Sequence, residues 1–226
     1  MASWLSAATC GLVASGISIV GCGGEVGAPP TGATADRVSG SFASRVVSFR
    51  PGAGSGFGQD SLPEVVLGAP HGGPAGTGSL DVLALGVGGE IILGFAGTIV
   101  DGPGVDFIVF ENAFQVSGGA AIFQEPAEVA VSDDGATWTV FPCDLGDLPR
   151  SRCAGLTPTL STPENGISPV DPTVAGGDGF DLGEIAVAAV RFVRIRDRAA
   201  SSAAAAPSAG FDLDAISVVH LSAEPP

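Results

Sequence analysis

The tetrapeptide Gly-Phe-Asp-Leu stands twice in the chain, at 179–182 and at 210–213. In an extended segment successive side chains alternate between faces, so Phe211 and Leu213 turn one way and Asp212 and Asp214 the other. Two carboxylates on one face, with Asp178 and Asp181 in a Gly-rich stretch, offer the oxygen-only donor set that a hard cation needs. Ca2+ takes roughly six to eight oxygens from carboxylates, amides and carbonyls. Asn112, Glu111 and Glu125 add to the supply. The expected metal set is therefore Asp178, Asp181, Asp212, Asp214, Asn112 and Glu125, with Ca2+ as the ion. A second use of the same acids stays open. Arg194, Arg196 and Arg198 share one face of a predicted strand, and Arg–Asp pairs across strands would satisfy Asp212 and Asp214 without metal.

Other constellations are thin. His71 lies in the loop Ala69–Pro74 and His220 ends the last predicted strand, and two isolated imidazoles make no metal site. Gly52–Gly58 (GAGSGFG) lacks the Lys and the following helix of a phosphate loop. There is no G-x-S-x-G and no H-E-x-x-H. Paired carboxylates would serve a glycosidase, but no pair stands out among so many acids in turns. We therefore expect no catalytic residue and a protein that is not an enzyme. A glycan or ester hydrolase is the alternative. No ligand-binding residue is singled out.

The chain of 226 residues has 35 Gly and 17 Pro, which excludes coiled coils and helical bundles. A formal charge of -15 repels phosphate backbones, so nucleic acid is not an expected partner. With 45% hydrophobic and only 15% charged residues, the sequence is that of a folded chain.

The acids must be positioned by strands. Short apolar or alternating runs separated by Gly, Pro and Asp predict strands at 44–49, 64–67, 79–85, 89–96, 105–111, 127–132, 137–141, 186–197 and 211–221. Val129 and Val131 alternate before Asp133-Asp134-Gly135, and Thr137-Trp138-Thr139 follows, which reads as a hairpin. No window has a helical period, and 199–206 (AASSAAAA) reads as a loop. The fold class is all-β, a single antiparallel β-sandwich (jelly roll) over 43–222.

Residues 1–24 carry no charged side chain, and the apolar run ends in Ile19-Val20-Gly21-Cys22. This order resembles the lipobox of bacterial lipoproteins. The resemblance implies a signal peptide over 1–21, a lipid on Cys22 and a membrane-tethered protein in the cell envelope, periplasmic or surface-exposed. Two acyl chains, at about 0.8 kcal/mol per buried CH₂, anchor stably where one does not. Residues 22–42 then form a flexible Gly/Pro/Ala linker. In an exported chain Cys143 and Cys153, in one loop with Pro142, Gly146 and Pro149, are expected to pair as a disulfide.

Three segments in order, VAVSDDGATWTVF (129–141), AVRFVRIRD (189–197) and GFDLDAISVV (210–219), resemble the discoidin, or galactose-binding-like, jelly rolls. Gly104–Phe114, Glu125-Pro126, Gly177–Leu182 and Asp214-Ala215-Ile216 are similar to elements of poorly characterised bacterial surface proteins. The resemblance implies loops at one end of a sandwich that bind glycans, lipids or proteins, often beside a structural Ca2+. The chain departs from many discoidin domains in lacking a Cys pair that ties its termini and in having no Tyr. The expectation is a Ca2+-stabilised binding or adhesion module for a glycan or other envelope component. A self-associating structural surface protein is a further alternative.

Overall fold

The computed structural model describes residues 40–73, 77–116, 121–198 and 205–222. The expected signal peptide, Cys22 and nearly all of the linker lie outside them. The described residues fall in one compact unit, 32–226.

The described residues form twelve strands: β1 (Ala43–Arg50), β2 (Leu83–Ala84), β3 (Glu90–Val100), β4 (Phe107–Glu111), β5 (Phe114–Gln115), β6 (Ile122–Phe123), β7 (Ala127–Ser132), β8 (Thr139–Val140), β9 (Asp178–Phe180), β10 (Ala189–Asp197), β11 (Asp212–Val218) and β12 (Leu221–Ser222). One sheet runs β1-β3-β10-β7-β8, with β12 also on β3, and a second runs β2-β11-β4-β9. β5 and β6 form a small hairpin of their own. The pairings between these strands are antiparallel. The fold is thus the expected all-β sandwich.

Alternation builds it. Val193 and Ile195 of β10 point into the core while Arg194 and Arg196 do not, and β3 sends in Ile91, Leu93 and Phe95. From the smaller sheet Phe107, Val109, Phe180, Leu213 and Ile216 meet them. Phe107 stacks on Phe180 at 5.2 Å between ring centres, and Phe141 meets both edge-on. The outer face of the smaller sheet is also covered, because Ile108, Phe110 and Ala215 pack with Ala175. That close approach requires Gly177 (φ 69°), where a Cβ would stand 2.8 Å from the Val109 carbonyl oxygen. With both faces covered, every residue of β11 is buried, acids included.

Three local expectations are corrected. Residues 64–67 are not a strand: Glu64–Val66 form a 3-10 turn opened by Pro63, burying Val65 and Val66. Asp178 lies in β9 rather than in a loop, paired opposite Val109. The β7–β8 hairpin closes over six residues, 133–138, not at Asp-Gly alone. There the Asp134 carboxylate gathers the amides of Ala136 and Thr137 and the Ser132 hydroxyl. Those donors hold its pKa far below the ordinary carboxylate range. Cys143 and Cys153 form the expected disulfide.

A carboxylate-floored cavity as candidate functional site

The register of β4 on β11 places Leu213 opposite Glu111 and Ala215 opposite Phe110, so Asp214 is an extra residue in β11. Such a bulge re-aims the side chains around it. Asp212, at the head of β11, faces the start of the connection that leaves β4, and the Asn112 amide donates to its carbonyl. The Asn112 side chain in turn hydrogen-bonds the Asp212 carboxylate. Its Oδ1 also accepts the Ser79 amide at 2.6 Å, which pins the 77–82 segment over this end of the sheet.

Between these pieces lies a cavity of about 320 Å³. Asp212, Glu125, Asn112, Ser79 and Ser208 supply its polar lining, and Phe57, Leu80, Val82, Phe114 and Phe123 its apolar lining. Phe114 and Phe123 are the cross-strand pair of the β5–β6 hairpin and stack at 5.0 Å. Leu80, at the mouth, is 83% exposed.

The floor is electrostatically unbalanced. Asp212 is 8% exposed and Glu111, just behind it, 1%. Among the described residues Asp212 Oδ1 and Glu111 Oε2 receive no hydrogen bond. Burial, reinforced by the charge of Glu125, raises the Asp212 pKa to about 7. Burial raises Glu111 well above the ordinary range, and the charges of Asp212, Glu125 and Asp178 push the same way. No arginine lines the cavity among the described residues, and the chain has no lysine. The arginine strand serves the other sheet, with Arg194 3.9 Å from Glu90 and Arg198 3.0 Å from Glu128. The metal-free alternative, with this ladder pairing Asp212 and Asp214, is therefore not what the fold builds.

Of the six expected metal ligands, Asp212, Asn112 and Glu125 thus share one cavity. The other three are elsewhere. Asp178 is half-buried and close enough for its charge to act on Glu111, but its carboxylate accepts the Gly155 and Leu156 amides at 2.8 and 2.9 Å. Asp214 grips the His71 amide with both oxygens, at 3.1 and 2.9 Å, and burial raises its pKa to about 7. His71 Nδ1 also meets Asp81, so His71 joins Asp81 to Asp214 of β11.

Asp181 belongs to a different group. It caps the 3-10 turn Leu182–Ile185 through the Gly183 amide, and one ligand oxygen each of Asp101, Asp106 and Asp181 lie within 4.8 Å of one another. Such a triad is compatible with a metal ion. Asp106 is fully buried and already accepts the Gly102 and Leu182 amides and meets His220 Nδ1 at 2.7 Å. Asp101 and Asp106 had no signal in the sequence beyond being acids near glycine. The phenyl walls were equally hidden, since nothing in the local pattern sets Phe57, Phe114 and Phe123 apart from the other phenylalanines. Comparison of the chain with protein-family models and with curated proteins finds no match.

Proposed function

We propose that the chain is a binding module of the bacterial cell envelope, tethered through a lipid on Cys22, that takes a glycan or other envelope component into the cavity at the head of β11. The observation that carries this reading is the buried, unpaired Asp212 Oδ1 beside an aromatic-walled cavity. A carboxylate held this way costs folding free energy unless something positive or hydrogen-bonding meets it. Retaining it is reasonable where it serves a ligand rather than the fold. Binding residues are then Asp212, Glu125 and Asn112, with Phe114 and Phe123 as apolar contacts.

Ca2+ remains the proposed stabilising ion, because Asp101, Asp106 and Asp181 bring carboxylate oxygens within 4.8 Å of one another. Thermal unfolding in chelator and in about 1 mM Ca2+ tests it; a site with a dissociation constant near 10 μM gains about 2.7 kcal/mol. A Ca2+ response lost in Asp181→Asn assigns the ion to the Asp101 triad, and one lost in Asp212→Asn assigns it to the cavity. No response in the parent protein removes Ca2+ from the proposal. For the tether, Cys22→Ser should move the protein out of the membrane fraction. For binding, sedimentation with isolated envelopes should fall for Asp212→Asn and for Phe114→Ala, while equal sedimentation would overturn the cavity assignment.

One observation favours a second reading, glycan hydrolysis. Asp212, whose pKa burial raises to about 7, lines the same cavity as a second carboxylate, Glu125, and a carboxyl kept protonated near neutral pH suits a general acid. Release of reducing sugar ends from envelope glycans, lost in Asp212→Asn, would support it.

A further inference from the structure

The cavity's own composition narrows the ligand. A hard cation is best held by oxygens on all sides, yet one side of this cavity is hydrocarbon: Phe57, Leu80, Val82, Phe114 and Phe123. A neutral ligand would leave Asp212 Oδ1, which receives no hydrogen bond among the described residues, without an answering charge. An acidic ligand would meet two carboxylates, no lining arginine among the described residues and a chain of formal charge -15. The complementary molecule carries a positive group at one end and an apolar face on the rest. An ammonium donates up to three hydrogen bonds. Asp212 Oδ1 lacks a donor among the described residues, and Ser79 and Ser208 line the same space. Phenyl faces attract the same charge, most strongly where it is shielded from water. At about 320 Å³ the space is at the small end for ligand pockets and suits one ring-sized body.

We infer that the cavity binds a primary ammonium borne on a compact ring, the chemistry of a hexosamine whose nitrogen is not acetylated. The inference rests on the cavity being the ligand site. The ammonium sits on Asp212 and Glu125, the ring's C–H face lies on the Phe114–Phe123 pair, and the ring hydroxyls reach Ser79 and Ser208. N-acetylation would remove the charge and leave Asp212 buried against an amide.

Calorimetric titration in chelator tests this with three probes: the disaccharide of glucosamine, its N,N′-diacetylated form, and 1-aminobutane. The expected result is binding of the free-amine disaccharide, at least tenfold weaker binding of the other two, and persistence in about 0.5 M salt, where contacts to the acidic surface are screened. Asp212→Asn should weaken the free-amine sugar at least tenfold without lowering the melting temperature, and Glu125→Gln provides a second variant should the first unfold. Equal binding of the acetylated sugar overturns the ammonium assignment, and equal binding of 1-aminobutane overturns the ring assignment. If no probe binds but envelope sedimentation still depends on Asp212, this inference fails and the cavity remains the binding site. If sedimentation is also independent of Asp212, both fail.

Discussion

Asp106 and Glu111 bracket strand β4, both are buried, and they are opposites in hydrogen bonding. Asp106 is 0% exposed and its two oxygens receive the Gly102 and Leu182 amides and contact His220. Glu111 is 1% exposed, and its Oε2 receives no hydrogen bond among the described residues. One strand thus carries a carboxylate that organises the fold at one end and a carboxylate that strains it at the other.

This contrast predicts opposite mutational outcomes. Asp106→Ala leaves two buried amides without an acceptor and should cost about 3–5 kcal/mol. Glu111→Gln removes a buried group whose charge the site opposes, so at pH 8 it should be neutral or stabilising by about 1–2 kcal/mol. Urea unfolding of both variants at pH 8 checks the pair. A loss of more than about 2 kcal/mol in Glu111→Gln would mean that the carboxylate is held by an interaction the fold needs.

Stability should fall as pH rises from about 4 to about 7. Asp212 and Asp214 have folded pKa values of about 7, against an unfolded value near 3.9. Between those limits the folded chain binds more protons than the unfolded one, so raising pH favours unfolding. Their contribution is complete below about pH 4 and gone above about pH 7. Asp134 and Asp171 act in the reverse sense, because hydrogen bonds to their charged forms depress their pKa values. Their contribution is present above about pH 4 and lost as pH falls further. The melting temperature should therefore peak near pH 4–5, and Asp212→Asn should flatten its decline toward pH 8. A cation in the cavity competes with the Asp212 proton, so its stabilising effect should be largest near pH 8 and small near pH 5.

The Asp214–His71 clip can be read directly. Both Asp214 oxygens accept the His71 amide, and Asp214 is 3% exposed. Asp214→Ala should speed hydrogen exchange at the His71 and Gly72 amides by at least tenfold while leaving β4 and β10 protected. Because His71 also meets Asp81, next to the cavity-lining Leu80, ligand binding should weaken with it. Unchanged exchange at His71 would show that Gly72, bonded to the Ser161 carbonyl, holds the loop unaided.

The sandwich was readable because alternation is a strong signal where one face is buried. Val193 and Ile195 against Arg194 and Arg196 announce β10, and Val129 and Val131 announce β7. The site was readable only in part. Asp212 and Asn112 come together because β4 and β11 pair, Glu125 joins them from between β6 and β7, and the residues themselves marked them as oxygen donors. Sequence placed Asp212 and Asp214 on one face, but the bulge between Leu213 and Ala215 sends them to different partners. A bulge has no period to reveal it. Asp181 went to the opposite end because β9 is an antiparallel partner of β4, so a short step along the chain carries the acid from Val109 to beyond Phe107. The phenyl walls depend on where loops fold back, which local pattern does not encode.

The disulfide offers a prediction independent of the cavity. Cys143 and Cys153 close a short loop beside β7, where Ala127 and Ala154 exchange backbone hydrogen bonds. Those bonds hold the 153–156 segment against the strand that follows Glu125, and the Gly155 and Leu156 amides in turn satisfy Asp178. Reduction restores loop entropy to the unfolded chain and should cost about 3 kcal/mol. It should also loosen the Asp178 cradle. Cys143→Ser with Cys153→Ser should therefore lower the melting temperature and increase hydrogen exchange at Gly155 and Leu156, with β10 and β11 unaffected below the transition. A lowered melting temperature with Gly155 exchange unchanged would confine the disulfide's role to the unfolded state.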